Sequence, residues 1–385
     1  MLDYAAALEE FSEQCIRCGV CSQTDCGNYG EGFTLGEVCE GVLNGDEAYV
    51  HFPFTCALCN RCTVNCPMKL KAIDGMKPAR AQILSEKPEL RENYRHFRTD
   101  LRYNLFSLTQ GEWADDAAAF NAVEGELLGD ASADSTAFFP GCSLASYGPA
   151  LSDATFKWLR EQKIASRRLN ICCGATFFDT GFFDEFNAYR KELATFFEQS
   201  GIKKLVIVCP HCGYELPQAL EGMNIELVKL PELMVERGVK IPGSGTYSMH
   251  DACYDRLDGA YGKAVREMFF NWTLAPLAHE GVNTICCGGG GMVSAYAPSF
   301  CEYRRNRRLA EIDAVESNVL VSTCFSCVNS MQRGESSKPV RHYLELAFDI
   351  DIDWPEVYGT VNMMYADPKA QKLLASEERM FGSDN

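Results

Sequence analysis

Positive charge is scarce in this chain of 385 residues: 36 Lys and Arg stand against 53 Asp and Glu, for a net charge of −17. Without a basic footprint, generic nucleic-acid binding is excluded as a function class. Long apolar runs are scarce as well. The longest, Leu205-Val206-Ile207-Val208, has the length of a buried strand and falls far short of the ~20 residues that span a bilayer. Residues Met1 to Glu10 show neither the basic stretch nor the apolar stretch of a secretory leader. These absences predict a cytoplasmic protein with no direct membrane span, any membrane association being made through a partner. Nucleotide fingerprints are missing too. No GxGxxG opens a helix after a strand, and the glycine run Gly288 to Gly291 is not followed by the Lys-Ser/Thr of a P-loop. Reducing power is therefore expected from another protein.

What is present in excess is cysteine, 20 residues, or about one in nineteen. A cytoplasmic chain keeps thiols reduced, so clustered CxxC spacings point to metal rather than to disulfides. Hydrophobic residues at 46% and charged residues at 23% are ordinary for globular domains, so the chain can bury real cores. Its length suggests two or three of them.

Nine cysteines lie between Cys15 and Cys66, and none between Cys66 and Cys142. The gap holds the acidic, small-residue stretch Gly111 to Thr136, read as a loosely held connector. The later cysteines repeat. Cys142 corresponds to Cys253, Cys172-Cys173-Gly174 to Cys286-Cys287-Gly288, and Cys209 and Cys212 to Cys324 and Cys327. Phe186 to Lys191 likewise aligns with Phe300 to Arg305, and Leu230 to Leu233 echoes Tyr343 to Leu346. Duplication is the simplest account. Within each repeat, short apolar runs (Ala137 to Phe139, Lys204 to Val208, Val319 to Val321) alternate with helix-like segments (Ala150 to Gln162, Phe183 to Gln199). That alternation predicts α/β units with parallel strands, their cysteines just past the strand C-terminal ends.

The spacings Cys15-x-x-Cys18-x-x-Cys21 and Cys56-x-x-Cys59-x-x-Cys62-x-x-x-Cys66-Pro67 are those of cubane iron–sulfur clusters, and the cysteine before proline usually serves the other cluster. One cubane is expected on Cys15, Cys18, Cys21 and Cys66. The other is expected on Cys56, Cys59, Cys62 and one cysteine from the first run. Cys26 is the choice for that crossed ligand and Cys39 the alternative. Zinc also uses CxxC pairs, but two triplets favour iron–sulfur. In each repeat a lone cysteine, an adjacent pair with glycine and a CxxC follow one another at intervals of roughly 30 to 35 residues. Five thiolates exceed what tetrahedral zinc or one cubane needs. They suggest an unusual cluster with one bridging thiolate.

From Cys15 to about Phe348 these motifs resemble the catalytic subunits of heterodisulfide reductases, a dicluster ferredoxin followed by two CCG (cysteine-rich) domains, the order found in the single-chain, membrane-linked form. The architecture is also similar to iron–sulfur subunits of glycolate and lactate oxidases and of anaerobic glycerol-3-phosphate dehydrogenase. The resemblance implies an α+β multidomain fold. A helical [4Fe–4S] dicluster ferredoxin domain (1–108) and an acidic linker (109–136) would precede two pseudo-twofold-related α/β CCG domains (137–240 and 246–348). A C-terminal extension (349–385) would pack or bind a partner. The resemblance also implies a non-cubane [4Fe–4S] cluster on Cys142, Cys172, Cys173, Cys209 and Cys212, and a second on Cys253, Cys286, Cys287, Cys324 and Cys327, beside the two cubanes. The implied enzyme is an oxidoreductase subunit that passes electrons from the cubanes to the paired clusters, which reduce a disulfide-type substrate, its small-molecule partner being a disulfide or the thiol it yields. Its partner would be a flavoprotein or a cytochrome b. The alternative is a non-catalytic electron conduit for a flavin-dependent 2-hydroxyacid or glycerol-3-phosphate oxidase.

Two cysteines remain, Cys39 and Cys301, the latter read as a core residue. His211, inside the Cys209–Cys212 motif, and His250, just before Cys253, are candidate proton donors, since disulfide reduction consumes protons. The glycine run is read as backbone wrapped on a cluster with its N–H groups directed at sulfur. Arg304, Arg305, Arg307 and Arg308 read as a solvated face or as a steering patch. Lys69, Lys71 and Lys77 are expected to meet a redox partner.

Overall fold

The computed structural model describes residues 3–24, 26, 32–113 and 122–381. Within 3–113 the described residues form helices, and their one β-type pairing is a single bridge from Leu101 to Arg379. Helix Tyr4–Gln14 starts where the Asp3 carboxylate accepts from the Ala6 N–H (3.1 Å). Helix Leu35–Leu43 opens on a reciprocal pair: Glu37 N–H donates to Thr34 Oγ1, and Thr34 N–H donates to Glu37 Oε2 (2.7 Å). Helix Ala72–Glu86 packs across both and buries Ile73, Met76, Ile83 and Leu84. Each such side chain contributes roughly 1.5–3 kcal/mol on burial. The helices approach closely at Gly75, where a Cβ would lie 2.9 Å from Cys39 Sγ.

Among the described residues nine strands follow: β1 (Val123–Glu124), β2 (Thr136–Phe139), β3 (Arg167–Leu169), β4 (Lys204–Ile207), β5 (Glu226–Lys229), β6 (Gly245–His250), β7 (Trp272–Leu274), β8 (Val319–Ser322) and β9 (Val340–His342). They form two sheets, ordered β1-β3-β2-β4-β5 and β7-β6-β8-β9. All pairings are parallel except that of β1 with β3. Setting β1 aside, both sheets run second–first–third–fourth strand of their own repeat, as duplication requires. β2 and β8 are buried along their whole length, which is why parallel strands read as unbroken apolar runs rather than as alternation. The mixed helical and parallel-sheet architecture is the α+β class expected. The long helices also lie where the periodicity puts them, at Pro149–Glu161 and Phe183–Ser200.

The connector departs from expectation. Residues 114–121 of it lie outside the described part, but the remainder is not loose. β1 adds an antiparallel edge to the first sheet, held by a Glu124–Arg168 ion pair across the strands. Helix Ala131–Asp134 then leads into β2, its first N–H groups accepted by Asp130. The C-terminal segment folds back on the molecule through helices Trp354–Ala366 and Pro368–Leu374. Arg379 pairs with Asp100 (2.6 Å) and Glu192 (2.9 Å), and the Phe381 ring stacks near Tyr189 and Phe196.

Candidate cysteine sites

Parallel strands deliver the cysteines at their C-terminal ends. β2 leads to Cys142, β3 to Cys172 and Cys173, and β4 to Cys209, the N-cap of helix Pro210–Ala219, which carries Cys212. In the second repeat β6 leads to Cys253, and β8 to Cys324, the N-cap of helix Phe325–Met331, which carries Cys327. No cysteine takes part in a disulfide. The first five thiols line one cavity, shared with His211, Met292 and Phe325. Gly174 has φ +86°, and a Cβ there would lie 2.8 Å from the Phe186 ring, so only glycine lets the chain turn away from Cys172-Cys173. Its N–H donates to Cys172 Sγ (3.4 Å). The thiols of Cys142 and Cys173 interact with Cys172, which holds Cys172 well below the usual thiol range.

In the second set Cys287 and Cys327 lie 3.1 Å apart, well beyond the ~2.05 Å of a disulfide, and Cys286 and Cys324 continue the contact. Cys253 faces Cys59 and Cys287. Gly288 N–H donates to Cys286 Sγ (3.3 Å) and Gly289 N–H to Cys287 Sγ (3.4 Å), so the glycine run does direct its amides at sulfur. Its other half meets the N-terminal region. Cβ atoms at Gly290 and Gly291 would lie 2.5 Å from Ala57 O and 2.6 Å from Cys56 O. The two five-thiol sets also touch each other: Cys209 interacts with Cys324, and Ser143 Oγ and Ser326 Oγ share a hydrogen bond of 2.7 Å.

The two CxxCxxC segments adopt the same backbone form. The residues before and after the middle cysteine are left-handed in both: Arg17 and Gly19 around Cys18, Leu58 and Asn60 around Cys59. The second loop is tied to helix Ala72–Glu86 by the Asn60 and Thr63 side chains, which accept from Ile73 N–H (3.3 Å) and Ala72 N–H (3.2 Å). Cys15, Cys18, Cys21 and Cys66 line one apolar cavity, which Cys62 also reaches. This outer site is near solvent: Cys18 is exposed, and Ile16 and Met68 on its rim are 59% and 48% exposed. Cys26 lies beside Cys56 and Cys59, where Arg304 reaches the Cys26 carbonyl (2.8 Å). Cys39 is fully buried next to Cys15, and burial pushes its thiol up. Cys301 is buried, and its thiol is pushed up to about 11.

The two candidate histidines differ. His250 is buried beside Cys287 and Cys327, and burial lowers its pKa. His211 keeps 19% of its side chain exposed and stacks on Tyr254 at 3.7 Å between ring centres. Burial opposes charge on His211, but the Asp179 and Glu215 carboxylates, at 3.4 and 3.7 Å, raise its pKa. The same carboxylates hold Lys77 at 2.8 and 2.7 Å. Burial opposes charge on Glu215 as well, but Lys77 and His211 bring its carboxyl down to about 2.

Two expectations are therefore corrected. Lys77 faces no partner: it is buried in an ion-paired network that joins the N-terminal helices to both repeats, because Asp179 and Glu215 surround its ammonium group. Arg304 and Arg308 are no solvated face, since the N-terminal loops and β6 cover them. Arg80, Arg256, Asp179 and Glu215 went unread. Only Arg256 carried a signal, its place three residues after Cys253.

The model of the CCG cysteine-rich domain family matches residues 136–217 and 247–332, one stretch around each five-thiol set. Over 287 residues, 73% of its length, the chain is 23% identical to an uncharacterized iron–sulfur protein of Methanocaldococcus jannaschii. It spans 57% of that relative's length. A solved glutamate racemase, isoform RacE1 from Bacillus anthracis, aligns with 63% of this chain and 84% of its own at 12% identity. Its TM-score of 0.27 is too low to bear on fold or function.

Proposed function

We propose that this chain is the iron–sulfur redox subunit of a heterodisulfide-reductase-like complex. Residues 1–108 hold two cubane clusters, on Cys15, Cys18, Cys21 and Cys66 and on Cys26, Cys56, Cys59 and Cys62. The two CCG domains hold one non-cubane [4Fe–4S] cluster each, on the five thiols named for each repeat. When bound, these groups supply one-electron transfer and, at the paired sites, iron that accepts sulfur. The donor set fits them. The outer set and the first five-thiol set each line a cavity, no cysteine is spent in a disulfide, and backbone N–H groups donate to Cys56, Cys172, Cys286 and Cys287. The printed name of the archaeal relative, an iron–sulfur protein, agrees.

The observation that carries the reading is the contact between the two five-thiol sets at Cys209 and Cys324. A disulfide bound beside that contact would meet one site with each of its two sulfurs. His211 is the better proton donor of the two histidines, because it is reached from solvent and is held toward its charged form, whereas His250 is sealed and held neutral. His250 fits a role as hydrogen-bond partner of Cys287. Electrons enter at the outer four-cysteine site, whose rim is exposed, from a flavoprotein or cytochrome partner.

The test is electron paramagnetic resonance on anaerobically purified, oxidised protein, with cysteine, glutathione and 2-mercaptoethanol added one at a time. A new paramagnetic signal with one thiol supports the reductase. Silence with all three, in protein carrying iron for four clusters, favours the electron conduit of a 2-hydroxyacid or glycerol-3-phosphate oxidase.

A further inference from the structure

Three buried arginines converge on one short stretch of backbone. Arg80, on helix Ala72–Glu86, donates to the carbonyls of Cys56 (2.7 Å), Pro53 (3.0 Å), Asp179 (2.6 Å) and Gly291 (2.7 Å). Arg256, just past Cys253, donates to the carbonyls of Cys59 (3.1 Å), Thr284 (2.8 Å) and Val282. Arg304, on helix Pro298–Asp313, donates to the carbonyls of Cys26 (2.8 Å) and Thr55 (2.7 Å). They are 0%, 4% and 3% exposed. Each grips the main chain of a different cysteine assigned to the inner cubane, and two of the three come from the second repeat.

Their charge is the telling feature. A guanidinium stays protonated at any working pH. Every hydrogen-bond acceptor of Arg80 and Arg256 is a neutral carbonyl, and neither has a carboxylate partner among the described residues. A buried cation left so is costly unless an anion lies close by. Arg304 lies in the field of the Cys26, Cys56, Cys59 and Cys286 thiols. The outer site contrasts with this. None of the described residues lining its cavity is charged, and Arg17 on its loop is half-exposed and paired with Glu40.

We propose that Arg80, Arg256 and Arg304 are positioning residues that supply the counter-charge of the inner four-cysteine site and raise its reduction potential above that of the outer site. The inference rests on the reading that Cys26, Cys56, Cys59 and Cys62 hold a cubane. Reduction adds one negative charge, and three fixed cations in a water-excluded place favour the state that carries it. One electron passes inward, lost from the outer site and gained by the inner one, with no bond or proton exchanged. The electron comes from a low-potential one-electron donor. The inner site then holds it beside Cys253 and Cys286, where the second repeat begins. Because the cations are buried, added salt does not screen the effect.

The experiment is a dithionite titration of the full chain with redox mediators, read by electron paramagnetic resonance, on the wild type and on Arg304→Gln, Arg304→Lys, Arg256→Gln and Arg256→Lys, with iron assayed in each. The expected result is that the Gln variants lower the midpoint of one cubane signal and leave the other unmoved, that the Lys variants keep most of the wild-type midpoint, and that the Gln–Lys difference is the same at low and high salt. Unmoved midpoints in Gln variants that retain their iron would overturn the proposal, as would equal shifts in both cubane signals. Loss of iron from the Gln and Lys variants alike would show a structural clamp without tuning, and would overturn it too. A wild type with no cubane signals would instead remove the reading on which the proposal stands.

Discussion

Lys77 shows how much a single side chain can carry. Its ammonium group sits between Asp179 and Glu215 with 6% of the side chain exposed, so both carboxylates depend on it for compensation. Replacing it with Met leaves two buried carboxylates with His211 as their one remaining cationic neighbour among the described residues. Lys77→Met is expected to cost about 3–5 kcal/mol, read as a fall in the urea midpoint of the holoprotein; a change under about 1 kcal/mol would refute the network's role. Lys77 and Arg304 were misread for one physical reason. A charged residue on a helix reads as solvated unless the surface that covers it is known, and here that surface comes from elsewhere in the chain: Asp179 and Glu215 over Lys77, Cys26 and Thr55 over Arg304. Two other residues set a pH dependence. Burial lowers His342 to about 3 and His96 to about 4 from 6.5. The unfolded chain therefore takes up their protons first as pH falls, so stability present above about 6.5 is lost on acidification toward the folded values. Each adds a slope of up to about 1.4 kcal/mol per pH unit. Urea midpoints between about pH 7.5 and pH 5.5 should fall in the wild type and fall less steeply in His96→Gln.

The glycine run after Cys287 is the element that seats the second repeat on the inner cysteine loop. Gly291 has φ +63° and would bring a Cβ to 2.6 Å from the Cys56 carbonyl. Gly291→Ala therefore adds both backbone strain and a clash with main chain that Arg80 also holds. It should cost roughly 1–3 kcal/mol and lower the iron content, measured by colorimetric assay, whereas Gly201→Ala, with open space around it, should keep full iron despite its own positive φ. Three of the strands that lead to cysteines were legible because each carries a short apolar run just before its motif, as at 137–139 and 319–321, whereas β3, with two arginines, and β6, with Thr246 and Ser248, offer no such run. β1 was not legible either. Its two residues, Val123 and Glu124, carry no periodicity, and what makes them a strand is Arg168 on β3. The cysteine spacing showed which thiols group together. It could not show that the two five-thiol sets touch, because the Cys209–Cys324 contact joins separate repeats.

Across the whole molecule the sites form a series. The outer cysteines face solvent, the inner loop lies against Cys253 and Cys286, and the second five-thiol set meets the first. If electrons enter at the outer site, its exposed rim is where a donor docks. Ile16→Asp combined with Met68→Asp should slow reduction by a protein donor about tenfold, the weight of roughly 1.4 kcal/mol, while reduction by dithionite stays unchanged in stopped-flow absorbance. Equal slowing with both reductants would move the docking site elsewhere. All of this rests on the assignment of eighteen cysteines to four iron–sulfur sites. The most direct test is Mössbauer spectroscopy of isotopically enriched, anaerobically purified protein, with total iron measured on the same sample. The account predicts about 16 irons per chain in two spectral classes of equal weight, cubane and non-cubane. About half that iron in the cubane class alone, or zinc in place of iron at the five-thiol sets, would contradict it.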